Sequence, residues 1–169
     1  MTAPPPGARS QTTSEAKVLL VVNDLRAKGK QIPRAISEIP DFPFSTYSAL
    51  CESIARHQVL LQRFSSNYEN GIFSLLASPS ERALSTFFTG LAFLLPLGSV
   101  VLAFVHSWWW LLGTLGLFAG LSRGKRLYNR VILSSAMRSE VVFSFLYFTQ
   151  QVCVTSTDFK ESFYWNREP

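Results

Sequence analysis

The side chains that could act as a nucleophile, a base or a metal ligand are few and poorly spaced in this sequence. Cys51 and Cys153 form neither a CxxC pair nor a zinc-binding spacing. Cys51 and His57 are six residues apart. That spacing separates them by about 240° around a helix and prevents a nucleophile–base pair on one face. Metalloprotease, nucleophile-elbow, phosphate-loop and calcium-loop motifs do not occur. The sequence therefore predicts no catalytic, metal or cofactor site, and we expect the protein not to be an enzyme.

The charge distribution identifies the element that dominates the chain. Forty residues between Arg82 and Arg123 contain no Asp, Glu, Lys or Arg, so the 16 basic and 11 acidic residues all lie outside them. A helix needs about 20 mostly apolar residues to cross the hydrocarbon core of a membrane. The stretch is therefore long enough for two crossings, and the polar pair His106-Ser107 divides it.

We predict a transmembrane helical hairpin over 78–122, with helices at about 79–105 and 108–122. The run Ser78-Pro79-Ser80-Glu81 combines a capping serine, a proline suited to the first helical position and a glutamate that completes a capping box. It marks the start of the first helix. The second predicted helix is about 22 Å long, which is short for a bilayer core. A hairpin that enters one leaflet and returns, or a soluble buried hairpin, is therefore the alternative to a spanning one.

Small residues recur at helical spacing inside the predicted hairpin and would let helix backbones approach closely. The predicted helix-packing positions are Thr86, Gly90, Gly113, Gly116 and Gly120. They would serve either the packing of the two helices of one hairpin or self-association between chains, and the sequence leaves both interpretations open.

Residues with affinity for the membrane interface flank the predicted second helix. The positions in question are Trp108, Trp109, Trp110, Arg123, Lys125 and Arg126. Indole rings favour the headgroup layer, and basic residues concentrate on the cytoplasmic side of membrane helices. We therefore expect both termini to face the cytoplasm. The net charge of +5 is explained by a lipid bilayer partner. We expect no nucleic-acid partner, because no recognition motif accompanies the charge.

The segments on either side of the hairpin are each too short to bury much core alone, so we expect them to pack together as one cytoplasmic unit. The N-terminal side comprises a disordered tail at 1–13 and a helical segment at 14–77. The C-terminal side, 123–169, comprises an amphipathic helix and then aromatic, β-rich sequence. Helix is preferred over strand for 17–25, whereas 141–150 fits both.

Two further elements are predicted in these segments. An apolar stripe at steps of three and four residues predicts a helix that starts at Ser45 or Thr46 and continues to about Phe64. The run 152–155 is rich in β-branched residues and predicts a strand.

The predicted fold class is a mainly α membrane protein, with a two-helix transmembrane hairpin and a small cytoplasmic α+β unit built from both flanks. The function expected from it is non-enzymatic anchoring or scaffolding of an unknown cytoplasmic partner. An alternative is an oligomeric, membrane-perturbing or pore-forming effector gated by the cytoplasmic unit. A third interpretation is a membrane-tethered enzyme that uses His57 or Cys153.

Overall fold

A computed structural model describes residues 6–63, 70–106, 115–158 and 161–164. The chain is mainly helical with a small antiparallel sheet. It divides into two compact units. The flank unit contains 1–76 and 131–169, and the apolar unit contains 77–130. The two sequence flanks therefore form one folded unit.

The flank unit contains most of the secondary-structure elements. They are α1 (Pro6–Ala27), a 3-10 turn (Ile36–Glu38), α2 (Tyr47–Ala55), β1 (Val59–Arg63), α3 (Asn70–Leu76), α6 (Glu140–Phe148), β2 (Val152–Ser156) and β3 (Ser162–Phe163). The apolar unit contains α4 (Pro79–Val105) and the first part of α5 (Leu115–Ala136), whose last turns belong to the flank unit.

Helix α1 confirms the helical interpretation of 17–25, with Val18 and Val22 fully buried. It begins at Pro6, inside the segment predicted to be a disordered tail. Proline fits the first turn of a helix, because the amide hydrogen that it lacks has no partner there. The helix ends in a left-handed Gly29, and the Lys30 amide donates to the Leu25 carbonyl at 3.1 Å, which satisfies one of the last free carbonyls.

The helix predicted to reach Phe64 is wrong beyond Ala55. Thr46 caps α2 as expected, accepting from the Ala49 amide at 3.3 Å, but the chain turns at His57, which has a φ of 57°. The next residues form β1 instead. The local spacing is overridden here, because a short strand is stabilised by the partner that it finds elsewhere in the sequence.

That partner is β2, which lies between β1 and β3 in the sheet. In the antiparallel register Leu61 faces Val154 and Gln62 faces Cys153. The strand prediction for 152–155 is confirmed, and all four of these residues are buried. The pairing joins the N-terminal flank of the chain to its C-terminal flank.

Helix α6 resolves the ambiguity at 141–150 in favour of a helix. Six consecutive residues, 142–147, are buried. A helix that is apolar on every side shows neither helical nor strand periodicity, and this explains why the sequence fitted both. The Glu140 carboxylate accepts from the Ile36 amide at 2.9 Å, which links α6 to the 3-10 turn.

An aromatic cluster fills the space between α6 and the segment that leads into α2. Phe143 and Tyr147 of α6 stack with ring centroids 5.9 Å apart, and Phe42 contacts both at 5.8 and 5.1 Å. The Tyr47 ring lies 6.2 Å from Phe143, and its hydroxyl donates to the Ala136 carbonyl at 2.7 Å. These contacts join the two flanks a second time.

The fully buried Phe143 is expected to be the largest single contributor to this cluster. Phe143→Ala should destabilise the flank unit by about 3–5 kcal/mol, because it removes three ring contacts and leaves a cavity. Urea unfolding followed by circular dichroism in detergent measures the effect. Leu20→Ala is the control: Leu20 is exposed on α1, and the change should stay within about 0.5 kcal/mol. Equal losses in both variants would contradict the packing described.

Two tyrosines of the cluster should make stability fall in alkaline solution. Burial raises the pKa of Tyr47, with further contributions from Cys51 and Glu140, and burial also raises the pKa of Tyr147. A raised pKa favours the protonated phenol in the folded state. The stabilisation is therefore complete below the unfolded pKa of about 10 and is lost as pH rises above it.

The measurement is the free energy of unfolding between pH 8 and 11. The double variant Tyr47→Phe, Tyr147→Phe should show a shallower alkaline decline than the wild type, whatever its stability at pH 8. Leu20→Ala, which changes an exposed residue that does not titrate, should leave the slope unchanged. A decline of equal slope in all three chains would refute this assignment.

Candidate functional site

Cys153, His57 and Cys51 each have different neighbours among the described residues of the flank unit. Cys153 is buried in β2, and its sulfur lies 4.0 Å from the Thr155 hydroxyl, which is not a base. Burial raises the pKa of the Cys153 thiol, which disfavours the reactive thiolate. His57 is exposed in a turn, where its carbonyl accepts from the Thr157 hydroxyl. Cys51 is a partly buried free thiol on α2, within the range of interaction of Tyr47.

Within the described residues, no group of three His, Cys, Asp or Glu side chains is close enough to hold a metal ion. An open cleft of about 530 Å³ lies where α1 ends. In its wall the Arg26 guanidinium donates to the Ile32 carbonyl at 2.7 Å and pairs with Glu38. The Arg34 amide, at 3.0 Å from the Glu38 carboxylate, lowers the pKa of that carboxyl. These bonds fix the loop that follows α1.

Two buried polar side chains were not singled out by the sequence. Gln151 is fully buried before β2, and neither of its amide atoms has a hydrogen-bond partner within the described residues. The hydroxyl of the fully buried Ser144 also lacks a hydrogen-bond partner within the described residues. Each buried polar group without a partner lowers the free energy of unfolding by about 1–3 kcal/mol. The sequence did contain a signal for the burial of Gln151, since this residue directly precedes a run of apolar strand residues. Its burial, however, depends on packing that the sequence does not reveal.

Helix α4 is the feature of the apolar unit that points most directly to a function. It spans Pro79–Val105, the range predicted for the first long apolar helix. The capping box is present: the Ser78 hydroxyl accepts from the Glu81 amide at 3.3 Å, and the Glu81 carboxylate accepts from the Ser78 amide at 2.8 Å. In the described residues α4 is the one helix long and apolar enough to cross a membrane.

The surface of α4 is apolar and exposed on most sides. Only 11% of its most apolar 18-residue window is buried, whereas the core helix of a soluble protein would be mostly buried. Phe93, Leu94 and Leu95 are consecutive and all exposed, the first two at 67% and 70%. Consecutive side chains point about 100° apart, so exposed apolar surface covers more than half of the circumference. Phe104 is 90% exposed near the end of the helix.

The buried positions of α4 are small residues, and one of them, Ala92, contacts α5. Ala92 and Ser99 are buried and lie seven residues apart, on one side of the helix. A Cβ built at Gly120 of α5 would lie 2.9 Å from the Ala92 Cβ and 3.3 Å from the Phe88 carbonyl oxygen. Only glycine allows the two backbones to approach this closely.

The other predicted packing positions differ from Gly120. A Cβ built at Gly90 would meet no atom within 4 Å, and Thr86 is exposed with its hydroxyl bonded to the Arg82 carbonyl of its own helix. Gly116 lies in α5, in the part where only the backbone is described, and Gly113 lies outside the described residues. Of the three predicted positions whose surroundings are described, the structure places Gly120 in a close contact between helices.

The predicted interface residues fall into two groups. Trp108, Trp109 and Trp110 lie outside the described residues. Arg123, Lys125 and Arg126 are all exposed on α5. The second membrane helix predicted at 108–122 is not confirmed, because α5 is described only from Leu115 and carries these basic residues from its third turn onward.

Comparison of the chain with protein-family models, with curated proteins and with solved structures finds no match.

The contact at Gly120 can be tested with a matched pair of variants. Gly120→Ala should destabilise the apolar unit, because the added methyl group would overlap Ala92. Gly124→Ala should stabilise it by up to about 1 kcal/mol, since alanine is the better helix former and nothing lies within 4 Å of that position. Thermal unfolding in detergent measures both. Adding Ala92→Gly should restore part of the loss in Gly120→Ala and should not improve Gly124→Ala. Equal stabilities of the two single variants would refute the contact.

Proposed function

We propose that the protein is a membrane anchor: the apolar unit is embedded in a lipid bilayer, and the flank unit is held at the membrane surface, where it docks a partner protein. The observation that carries the proposal is the exposed apolar surface of α4. Burial of a Leu, Phe or Val side chain contributes about 1.5–3 kcal/mol. The exposed side chains of α4 together therefore represent on the order of 10 kcal/mol, as much as the whole stability of a typical domain.

Lipid is the solvent that this surface matches. Helix α4 has 27 residues and is about 40 Å long, which exceeds the roughly 30 Å hydrocarbon core. Small residues toward the neighbouring helix and large apolar residues outward are typical of membrane helices, because lipid tails are as apolar as the side chains that meet them.

The topology of the flank unit supports a hairpin rather than a single crossing. The chain before Ala77 and the chain after Arg130 belong to one compact unit, joined by the pairing of β1 with β2. A single crossing by α4 would put these strands on opposite sides of the membrane, where they could not pair. The return crossing falls to the chain between His106 and Arg123.

The basic residues favour the cytoplasmic side for both termini. Arg82 precedes the apolar stretch and Arg123, Lys125 and Arg126 follow it, whereas the segment between the two helices carries no Lys or Arg. The flank unit then lies in the cytoplasm. Binding of a cytoplasmic protein is the role that we propose for it.

Cysteine labelling in intact cells tests the anchor and its orientation. In a chain with Cys51→Ala and Cys153→Ala, we expect His106→Cys to react with a membrane-impermeant maleimide added outside. Ser80→Cys, at the other end of α4, should react only after the cells are opened. Both positions are exposed, so access alone does not distinguish them. Labelling of neither or of both in intact cells would exclude the spanning hairpin, and recovery of the chain in the soluble fraction would exclude the anchor.

A further inference from the structure

A basic stretch of α5 follows its apolar beginning without any acidic counterpart. Between Glu81 and Glu140 the chain contains no Asp or Glu. The basic residues in this interval are Arg82, Arg123, Lys125, Arg126, Arg130 and Arg138. Those on α5 are all exposed. Within the described part of the chain, the ion pairs all lie in the flank unit. The cations of α5 are thus not neutralised by any described acidic side chain.

Three of these cations share one face of the helix. Arg123, Arg126 and Arg130 follow each other at steps of three and four residues, which places them side by side on α5. Lys125 points about 100° or more away from each of them. All three residues on the shared face are arginines, and guanidinium groups bind phosphate oxygens with two parallel hydrogen bonds.

The arginine face is slightly longer than one headgroup layer of a bilayer is thick. Arg123 and Arg130 are separated by about 10 Å along the helix axis. One headgroup layer is roughly 5–8 Å thick, since a bilayer of 40–45 Å contains a 30 Å hydrocarbon core. When the apolar start of α5 lies in the hydrocarbon, Arg123 and Arg126 follow in the phosphate layer. Arg130 lies just beyond the layer and can reach back to it, because helix side chains tilt toward the N-terminus.

We propose that Arg123, Arg126 and Arg130 form a binding face for the phosphate groups of anionic phospholipids, so that the anchor selects an anionic leaflet. The inference rests on the proposed membrane anchoring. Lipid is favoured over RNA because the aromatic residue within this stretch, Tyr128, is buried, whereas single-stranded nucleic acid is held by exposed aromatic rings. Lipid is favoured over soluble phosphate because the face continues an apolar helix segment in the same unit as the exposed α4.

The test measures lipid selectivity of the full-length chain by electron spin resonance. The chain is reconstituted in phosphatidylcholine vesicles that contain trace spin-labelled phosphatidylglycerol or spin-labelled phosphatidylcholine. The fraction of motionally restricted label gives the relative association constant of the two lipids. In the wild type we expect phosphatidylglycerol to be preferred by about threefold or more at low salt, and the preference to fall in 0.5 M NaCl.

The variant R123Q/R126Q/R130Q should lose the preference, whereas K125Q should keep most of it. Glutamine preserves helix propensity, and an unchanged circular dichroism spectrum verifies the fold. The proposed face is overturned if the wild type shows no preference for phosphatidylglycerol, or if the triple variant shows the same preference as the wild type. In both cases a motionally restricted lipid fraction would still support the anchor. Binding of pyrophosphate by the wild type but not by the triple variant, without a phosphatidylglycerol preference, would assign the face to soluble phosphate and overturn the lipid assignment.

Failure of the anchor itself gives a different result. If neither spin-labelled lipid shows a restricted fraction in the wild type, the apolar unit does not contact the bilayer, and both the proposed function and the arginine face are refuted. Capture of single-stranded RNA by the wild type but not by the triple variant, without lipid selectivity, would likewise overturn the lipid assignment in favour of a nucleic-acid partner.

Discussion

The antiparallel pairing of β1 with β2 is the constraint on which the rest of the structure depends. It joins the segment that precedes the apolar unit to the segment that follows it. Hydrogen bonds from the Ile36 amide to Glu140 and from the Tyr47 hydroxyl to Ala136 strengthen the same junction. The intervening residues can therefore only leave the flank unit and return to it. An architecture in which α4 separates the two flanks is incompatible with the sheet.

The two units bury opposite kinds of residues. In the flank unit the interior contains large apolar side chains such as Phe143 and Leu146, as in a water-soluble domain. In the apolar unit the contact between helices is made by Gly120 and Ala92, while large residues such as Phe104 face outward. This inversion agrees with the lipid environment proposed for the apolar unit. In water, large apolar side chains are stabilised by burial in the interior. In lipid they can face outward, and small residues are found where helices pack closely.

Local signals in the sequence were sufficient for some elements and not for others. The bounds of α4 follow from its capping box and from the absence of charged residues after Arg82, and both are local features of the sequence. Strand β1 could not be found in this way, because it forms only through β2, far away in the sequence. In the candidate site, spacing selected five packing positions. It could not show that Gly120 faces Ala92 while Gly90 faces open space, since this depends on how the two helices are rotated.

The separation of the paired elements also imposes an order on biosynthesis. Ile36 and its partner Glu140 are 104 residues apart, which corresponds to roughly 5–20 s of translation at about 5–20 residues per second. Strand β1 likewise has no strand to pair with until Val152–Ser156 has been translated, and the apolar helix emerges from the ribosome before the C-terminal flank exists. The flank unit therefore cannot close before its C-terminal part has been translated, and the nascent N-terminal half is the stage at which the protein is most vulnerable to aggregation and chaperone capture.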